Sequence, residues 1–213
     1  LLAREEANDL AILGSGVQAR VHIEAMLLSR EIRRVRVWSR NGKNAETFAE
    51  RESKRHTIEV TPVESAQAAV SGADIICTTT GSTEPILMGE WLSPGTHINA
   101  IGSSVSFARE LDTAAVVRSS LFVDRRESTL NEAGDFLMPK SEGGIGDGHI
   151  RGEIGEILLK QVPGRERGEE ITLFKSLGLA VEDVAAAQYV YEKAVETGLG
   201  VRIEMGGRRH DTT

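Results

Sequence analysis

The stretch D-L-A-I-L-G-S-G-V-Q-A, residues 9–19, decides the fold of this chain. Its apolar residues run directly into Gly14-Ser15-Gly16, and a short apolar run that stops at glycines is typical of a strand buried on both faces. The apolar positions that follow repeat at helical spacing: Val17, Val21, Ala25 and Leu28. The stretch therefore predicts a strand, a tight turn and a helix.

This order is the context in which G-x-G-x-x-G/A indicates a dinucleotide-binding loop. Gly14 permits the sharp turn, Gly16 lets backbone approach a pyrophosphate, and Ala19 lets the helix pack closely on the strand. The helix N-terminus adds free N–H groups and a partial positive charge for the phosphates. The alternative is that the glycines only form a turn. The flanking strand and helix, together with a second strand, favour the binding loop.

The end of the second predicted strand indicates which dinucleotide fits. The strand covers residues 35–38 and is followed by Ser39, Arg40 and Asn41. An NAD site places an acidic residue here, about 20 residues beyond the glycines, to bind the ribose hydroxyls. The chain has no acid at this point, and a guanidinium suits a 2′-phosphate by charge and by its fork of donors. Arg40 therefore favours NADP over NAD, with an ordinary surface arginine as the alternative.

The rest of the chain alternates strands and helices. Further strands are expected at residues 58–61, 75–80, 97–101, 121–124 and 171–174. Helices are expected at residues 1–8, 17–29, 45–51, 62–70, 109–117, 127–133, 154–159 and 181–197. Such alternation predicts an α/β fold, a Rossmann-type doubly wound and mostly parallel sheet with C-terminal helices. We expect residues 1–200 to form this dinucleotide-binding domain with its helical extension, and residues 201–213 to form a tail that is disordered from residue 206 onward.

Composition excludes several classes of function. The 213 residues carry a net charge of -7 with no basic stripe, which disfavours nucleic acid as a partner. No apolar run approaches the roughly 20 residues that span a bilayer, and no signal peptide opens the sequence. The single cysteine, Cys77, suits a reducing cytoplasm. No cysteine–histidine cluster predicts a metal site, and the scattered histidines are expected to be structural or solvated.

Ordered motifs along the chain resemble the ornithine cyclodeaminase/mu-crystallin family. They are G-S-G-V-Q-A-R, V-W-S-R-N, T-E-P-I-L, P-G-T-H-I-N-A-I-G, R-E-L-D, N-E-A-G-D and F-K-S-L-G-L-A-V-E-D. The resemblance covers residues 1–200 and implies a homodimer that acts on small amino or imino acids with NAD(H) or NADP(H). It also implies an N-terminal substrate and dimerisation domain, which we expect to be missing from this chain because the chain begins without Met.

The resemblance implies a set of cofactor-binding residues. They are Gly14, Ser15, Gly16, Val17, Gln18, Ser39, Arg40, Asn41, Thr79, Thr80, Gly81, Ile101, Gly102, Ser103 and Ser176. The position of Thr79 and Thr80 at a strand end independently favours contact with a ribose, although β-branched residues also suit the strand itself.

Ser104 separates the possible activities. Ornithine cyclodeaminases carry an aspartate here, whereas mu-crystallin and the ketimine reductases share the serine, which cannot remove a proton near neutral pH without a neighbouring base. We therefore expect an NAD(P)H-dependent oxidoreductase, a ketimine or imine reductase or an amino-acid dehydrogenase, with Ser104 and Ser176 as catalytic candidates. The alternatives are an ornithine cyclodeaminase and a non-catalytic, NADPH-binding protein of the crystallin kind.

Overall fold

The computed structural model describes residues 1–203. The chain divides into two compact units, Leu1–Leu177 and Gly178–Thr213. The tail predicted at residues 201–213 falls almost entirely outside the described residues, and the predicted domain limits stay a prediction.

The first unit contains eight strands and seven α-helices among the described residues. The strands are β1 Asp9–Leu13, β2 Arg34–Trp38, β3 Val60–Pro62, β4 Ile75–Thr78, β5 His97–Ala100, β6 Ser120–Val123, β7 Ile150–Glu153 and β8 Thr172–Lys175. The helices are α1 Val17–Ser29, α2 Gly42–His56, α3 Ala66–Val70, α4 Thr113–Val117, α5 Arg126–Glu132, α6 Gly134–Ser141 and α7 Ile154–Leu158. Two short 3₁₀ turns lie at Gly89–Trp91 and Asp147–His149.

The strands form one parallel sheet in the order β3-β2-β1-β4-β5-β8-β6-β7. From β1 the chain builds outward to β2 and β3, then returns and builds in the other direction from β4. The direction of winding therefore reverses between β1 and β4, which is where open α/β sheets bind their ligands. The predicted doubly wound, Rossmann-type fold is confirmed.

The strand β1 is buried along its whole length, as its apolar sequence predicts. Successive side chains of a strand point to opposite faces. Ala11 and Leu13 accordingly pack in one apolar cluster, and Leu10 and Ile12 pack in the cluster on the other face. A sheet covered on both faces holds the strand ends, and hence any site built on them, in fixed register.

The prediction of a helix at residues 1–8 is wrong, because long-range partners take the carbonyl groups that a helix would use. Arg30 donates from Nε to the carbonyl of Arg4 and from Nη2 to the carbonyl of Ala3, both at 2.8 Å. Arg165 donates to the carbonyl of Leu2 at 2.7 Å. The segment is irregular, with Leu2 buried in the core.

Two helices begin later than predicted because side-chain caps set where they start. The helix predicted at 109–117 begins only at Thr113, where Asp112 Oδ1 accepts the N–H of Ala115 at 2.7 Å. The helix predicted at 62–70 begins after Ser65, whose hydroxyl accepts the N–H of Ala68 at 3.0 Å. The helix α6 and the edge strand β7 were missed, since their glycines made this region look like loop.

The apolar stripe that predicted α1 does not face the core. Its residues are exposed, Leu28 by 84%, whereas Ala19 and Ile23 are the buried residues of the helix. Small Ala19 against the sheet is the close approach that the glycine motif requires.

The second unit carries α8, Ala180–Thr197, within its described part. Its residues are exposed except for half-buried Ala194. Among the described helices of the chain, none is long and apolar enough to cross a membrane.

Candidate functional site

A cleft of about 350 Å³ lies at the carboxyl ends of β1, β2 and β4. It is lined by Gly14, Ser15, Gly16, Trp38, Ser39, Arg40, Asn41, Asn44, Thr79, Thr80, Gly81, Ser82 and Ile86. The fold thus brings together the residues predicted after these three strands, except Val17 and Gln18, which do not line the cleft. The residues predicted after β5, and Ser176 after β8, lie at the same edge of the sheet but do not line this cleft.

The glycine loop, residues 14–16, has the geometry that its sequence predicts. Gly14 has a φ of 126°, and a Cβ there would lie 2.5 Å from Thr79 Oγ1 and 2.8 Å from the Thr79 carbonyl oxygen. Only glycine suits both the backbone conformation and the close approach. The N–H of Gly14 donates to the Trp38 carbonyl at 2.8 Å, which ties the loop to the end of β2.

Gly16 leaves the N-terminus of α1 open. It is the N-cap residue, has extended backbone, and supplies no side-chain cap. A Cβ on Gly16 would have no heavy atom within 4 Å, so glycine is not needed there for packing. Its missing side chain instead leaves room beside the first helical N–H groups, those of Val17 and Gln18, which is the arrangement that binds phosphate.

The end of β2 supplies the positive charge of the cleft. Arg40 is exposed and, among the described residues, has no ion-pair partner. Ser39 accepts a hydrogen bond from the Ser15 hydroxyl at 3.1 Å, which joins this strand end to the glycine loop. Asn41 caps α2, since its Oδ1 accepts the N–H of Lys43 at 3.1 Å. Among the residues that the structure describes, no carboxylate lines the cleft, so its electrostatics favour an anion.

The loop after β4 is held by internal hydrogen bonds. Thr79 donates from its N–H at 2.8 Å and from its hydroxyl at 3.0 Å to the Leu13 carbonyl. Thr80 donates from its N–H at 2.5 Å and from its hydroxyl at 2.7 Å to Glu110 Oε1. These threonines therefore shape the wall of the cleft and keep its two strand ends together.

The loop after β5, residues 101–104, is tightly packed except at its last residue. A Cβ on Gly102 would lie 2.1 Å from the Thr80 carbonyl oxygen. Ile101 donates its N–H to the Thr78 carbonyl at 3.0 Å, and buried Ser103 donates its hydroxyl to the Ser82 carbonyl at 2.8 Å. Ser104 is exposed.

Ser176 lies beside this loop, at the end of β8. Its N–H donates to the Ala100 carbonyl at 3.1 Å, and its hydroxyl donates to Asp124 Oδ2 at 3.3 Å. Asp124 also accepts the N–H of Leu177 at 2.6 Å. The carboxylate orients the Ser176 hydroxyl, whereas Ser104 has no hydrogen-bond partner among the described residues and so keeps an ordinary, weakly acidic hydroxyl.

Sequence reasoning missed three buried charged residues behind this loop: Glu110, Asp135 and Lys175. Burial raises the pKa of the Glu110 carboxyl above its ordinary value of 4.5. Lys175 and Asp135 form an ion pair of 3.0 Å that is almost fully enclosed. The one local signal is that Lys175 directly follows the apolar run of β8, where a charge must find a partner inside the fold.

Two other titratable side chains of the sheet, His97 and Cys77, are kept neutral by burial. Burial lowers the pKa of His97 to about 3 and raises the pKa of Cys77 to about 12, so both stay neutral near pH 7. Within residues 1–203, histidine, cysteine, aspartate and glutamate form no group that could hold a metal ion.

Comparison with known proteins adds to this geometry. Residues 1–198 match the ornithine cyclodeaminase/mu-crystallin family. The chain is 41% identical over 204 residues to a Delta(1)-pyrroline-2-carboxylate reductase of Bacillus cereus, covering 95% of this chain and 62% of the relative. It is 43% identical over 194 residues to the ketimine reductase mu-crystallin of Mus musculus, covering 90% of this chain and 57% of the relative.

Solved structures of similar proteins also match this chain. The Delta(1)-pyrroline-2-carboxylate reductase of Thermococcus litoralis, in complex with NADH and L-proline, superposes with a TM-score of 0.92 at 46% identity. The alignment covers 95% of this chain and 62% of that one. An archaeal alanine dehydrogenase dimer with bound NAD gives a TM-score of 0.88 at 34% identity, covering 96% and 63%. The chain thus spans about three fifths of the length of these relatives.

Proposed function

The chain belongs to the ornithine cyclodeaminase/mu-crystallin family, and from that premise we propose that it is the dinucleotide-binding part of an NAD(P)H-dependent reductase. The reaction would reduce the C=N bond of a small cyclic imino acid. One observation carries the proposal: an open helix N-terminus and the unpaired Arg40 face one cleft at the point where the winding of the sheet reverses. The relatives named as Delta(1)-pyrroline-2-carboxylate and ketimine reductases support the substrate class.

The residues of the cleft fit a dinucleotide. The uncapped N–H groups at the start of α1 suit its pyrophosphate, and the space beside Gly16 admits it. Arg40, with Ser39 beside it, suits a 2′-phosphate on the adenine ribose. We therefore propose NADP(H) as the preferred cofactor, with NAD(H) as the weaker one. The bound dinucleotide would supply the hydride, and the protein would supply orientation and electrostatics.

The hydroxyls beyond β5 and β8 support reduction over ammonia loss. Ser104 is exposed at the end of its loop, and Ser176 is oriented by Asp124. The hydroxyl of Ser104 can orient a substrate by a hydrogen bond, but without a base beside it Ser104 cannot take the proton that an aspartate would take from a substrate amine. This arrangement favours an imine reductase over an ornithine cyclodeaminase.

The proposal extends to the assembly and its setting. A homodimer is supported by the alanine dehydrogenase neighbour, which is described as a dimer. A reducing, cytoplasmic setting is supported by the single cysteine, which is buried and free.

The activity is tested by mixing the full-length protein that contains this chain with NADPH and Δ1-pyrroline-2-carboxylate and following the absorbance of the reduced nicotinamide. Steady oxidation of NADPH that depends on the imine is expected. Ammonia release from ornithine without net change in the cofactor would instead identify a cyclodeaminase. NADPH binding with no turnover of any cyclic imine would identify a non-catalytic cofactor-binding protein.

The cofactor preference is tested by Arg40→Ala. NADPH should bind about tenfold more tightly than NADH, a difference of about 1.4 kcal/mol, and the substitution should remove this difference because it removes the 2′-phosphate partner. Arg151→Ala is the matched control, since Arg151 is exposed on the edge strand β7, away from the cleft. An unchanged preference in Arg40→Ala would show that Arg40 is an ordinary surface arginine.

A further inference from the structure

The buried lysine at the end of β8 uses all of its hydrogen-bonding capacity on the loop after β5 and on one anchor. Lys175 is 1% exposed. Its Nζ donates to the Gly102 carbonyl, to the Ser103 carbonyl at 3.3 Å and to Asp135 Oδ2 at 3.0 Å. An ammonium group has three donors, and burial of its charge is tolerated only with such full pairing. The lysine therefore holds two successive carbonyl groups of one loop in place.

The anchor is itself fixed by backbone groups. Asp135 lies in the first turn of α6, and its Oδ1 accepts the N–H groups of Glu110 at 2.8 Å and Leu111 at 3.0 Å. Its two carboxylate oxygens thus serve different partners, the backbone on one side and Lys175 on the other. The position of Lys175 Nζ is set from two elements, β8 and α6.

The same cluster reaches the loop after β4. The carboxyl of Glu110 accepts both the N–H and the hydroxyl of Thr80. Three buried charged residues therefore connect the loops that follow β4 and β5. We name Glu110, Asp135 and Lys175 the buried triad.

The loop that the triad holds contains a residue in an unfavourable conformation. Ser103 has a φ of 54°, in the left-handed region, which is unfavourable for a residue other than glycine. Such a conformation persists only where contacts with the surrounding structure hold the residue in it. Here the Ser103 carbonyl accepts from Lys175, and its hydroxyl donates to the Ser82 carbonyl. A rigid, strained loop at the ligand edge of the sheet indicates a positioning task.

We propose that Lys175 is a positioning residue: by holding the carbonyls of Gly102 and Ser103, it fixes the surface on which the nicotinamide half of the dinucleotide is seated. The inference rests on the proposed function. A dinucleotide whose adenine half lies over β1 and β2 extends across the reversal point toward β4 and β5. The triad therefore acts on one half of the cofactor only, which separates it from a general brace of the core.

The test compares a whole dinucleotide with its adenine half. NADPH and adenosine 2′,5′-bisphosphate are titrated by calorimetry into the full chain and into the double variant Lys175→Met/Asp135→Asn. The double variant removes both charges together, and the introduced asparagine keeps a side-chain oxygen for the two backbone N–H groups. Ile150→Ala is the matched control, because it opens a buried site on the edge strand β7, which pairs with β6.

The double variant should bind NADPH about tenfold more weakly, equivalent to about 1.4 kcal/mol, and the bisphosphate within about twofold of the unaltered protein. In the Ile150→Ala control, the ratio of the affinity for NADPH to the affinity for the bisphosphate should equal that of the unaltered protein. Equal weakening of both ligands, or no change in either, would overturn the positioning role. Failure of the unaltered protein to bind the bisphosphate would instead overturn the proposed function, and this inference with it.

If the double variant does not fold, a second variant tests the positioning role. Ser103→Gly suits the positive φ and removes the serine hydroxyl, so it should fold and loosen the loop. NADPH should then bind about threefold more weakly with the bisphosphate unchanged, about 0.7 kcal/mol. An unchanged ratio of affinities would overturn the inference.

Discussion

The glycine loop after β1 and the loop after β5 lie at one edge of the same sheet, yet they are built by different means. The glycine loop, residues 14–16, is shaped by missing side chains and leaves its backbone open to the cleft. The loop at residues 101–104 is shaped by the buried triad, and its carbonyls are occupied by Lys175. One loop leaves its backbone open to the cleft, and the other has its carbonyl groups held by a buried side chain.

This difference has energetic consequences. The glycine side contributes little buried polar structure, so changes there should affect ligand binding more than folding. The triad side encloses three ionisable side chains, and burial of such groups is costly unless each is neutral or has its partners. Changes there should affect folding first. Substitutions on the two sides should therefore differ in how much they affect folding.

The largest effect is expected for Gly102→Ala. The new Cβ would lie 2.1 Å from the Thr80 carbonyl oxygen and 2.5 Å from Glu110 Oε2. Because neither the backbone nor the buried carboxyl can move freely, the free energy of unfolding should fall by about 3 kcal/mol, measured by chemical denaturation. The control Gly16→Ala places its Cβ in open space and should leave unfolding almost unchanged. Equal losses of unfolding free energy in the two variants would contradict this difference between the two sides.

The next effect is a dependence of stability on pH. Because burial raises the pKa of Glu110 above 4.5, the folded state keeps a proton that the unfolded state has released. Stability therefore falls as pH rises above 4.5, by up to about 1.4 kcal/mol for each pH unit until the folded-state pKa is reached. Glu110→Gln, neutral throughout, should lack this fall, as denaturation curves at several pH values would show.

The control for this experiment is Glu50→Gln on the surface of α2. Lys54 lowers the pKa of Glu50, so its contribution has the opposite sign, present above the ordinary pKa and lost as pH falls. The effect should be small because the group is exposed. A Glu110→Gln profile parallel to that of the unaltered protein would show that Glu110 does not retain its proton.

The smallest effect is expected on the glycine side, for Asn41→Ala. The substitution removes the cap that accepts the N–H of Lys43 at the start of α2, and the free energy of unfolding should fall by about 1 kcal/mol. Asn44→Ala is the control, because Asn44 is exposed in the same cleft wall and caps no helix. Thermal unfolding measures the stability of both variants. If Asn44→Ala lost as much stability as Asn41→Ala, loss of the cap would not explain the effect.

The glycine loop could be predicted from sequence because its determinants are local. Gly14 and Gly16 lie in the turn between a strand and a helix, Ala19 lies in the first turn of that helix, and Arg40 lies two residues beyond the next strand. The alternation of apolar runs and helical repeats likewise predicted the parallel sheet. The stripe of α1 misled only as to which face is buried, since Ala19 and Ile23 pack inward in place of the larger residues.

The triad could not be predicted because its contacts join distant parts of the chain. Lys175 is 73 residues from Gly102 and 40 from Asp135, and Glu110 is 30 residues from Thr80. The insertion of β8 between β5 and β6 brings these residues together, and no local pattern shows that insertion. The irregular segment at residues 1–8 has the same cause, because Arg30 and Arg165 take its carbonyl groups from a distance.

The central claim, that the glycine loop seats the dinucleotide, is tested most directly by titrating NADPH into the unaltered protein and into Gly16→Val. Gly16 has an extended backbone that valine also adopts, and its Cβ would point into open space. Gly146→Val is the matched control, since Gly146 is extended and equally open but away from the cleft. The account predicts saturable binding to the unaltered protein and to Gly146→Val. In Gly16→Val it predicts a loss of affinity of about 100-fold or more, with thermal stability unchanged. Binding of NADPH by Gly16→Val as tight as by the unaltered protein, or no binding by the unaltered protein, would contradict it.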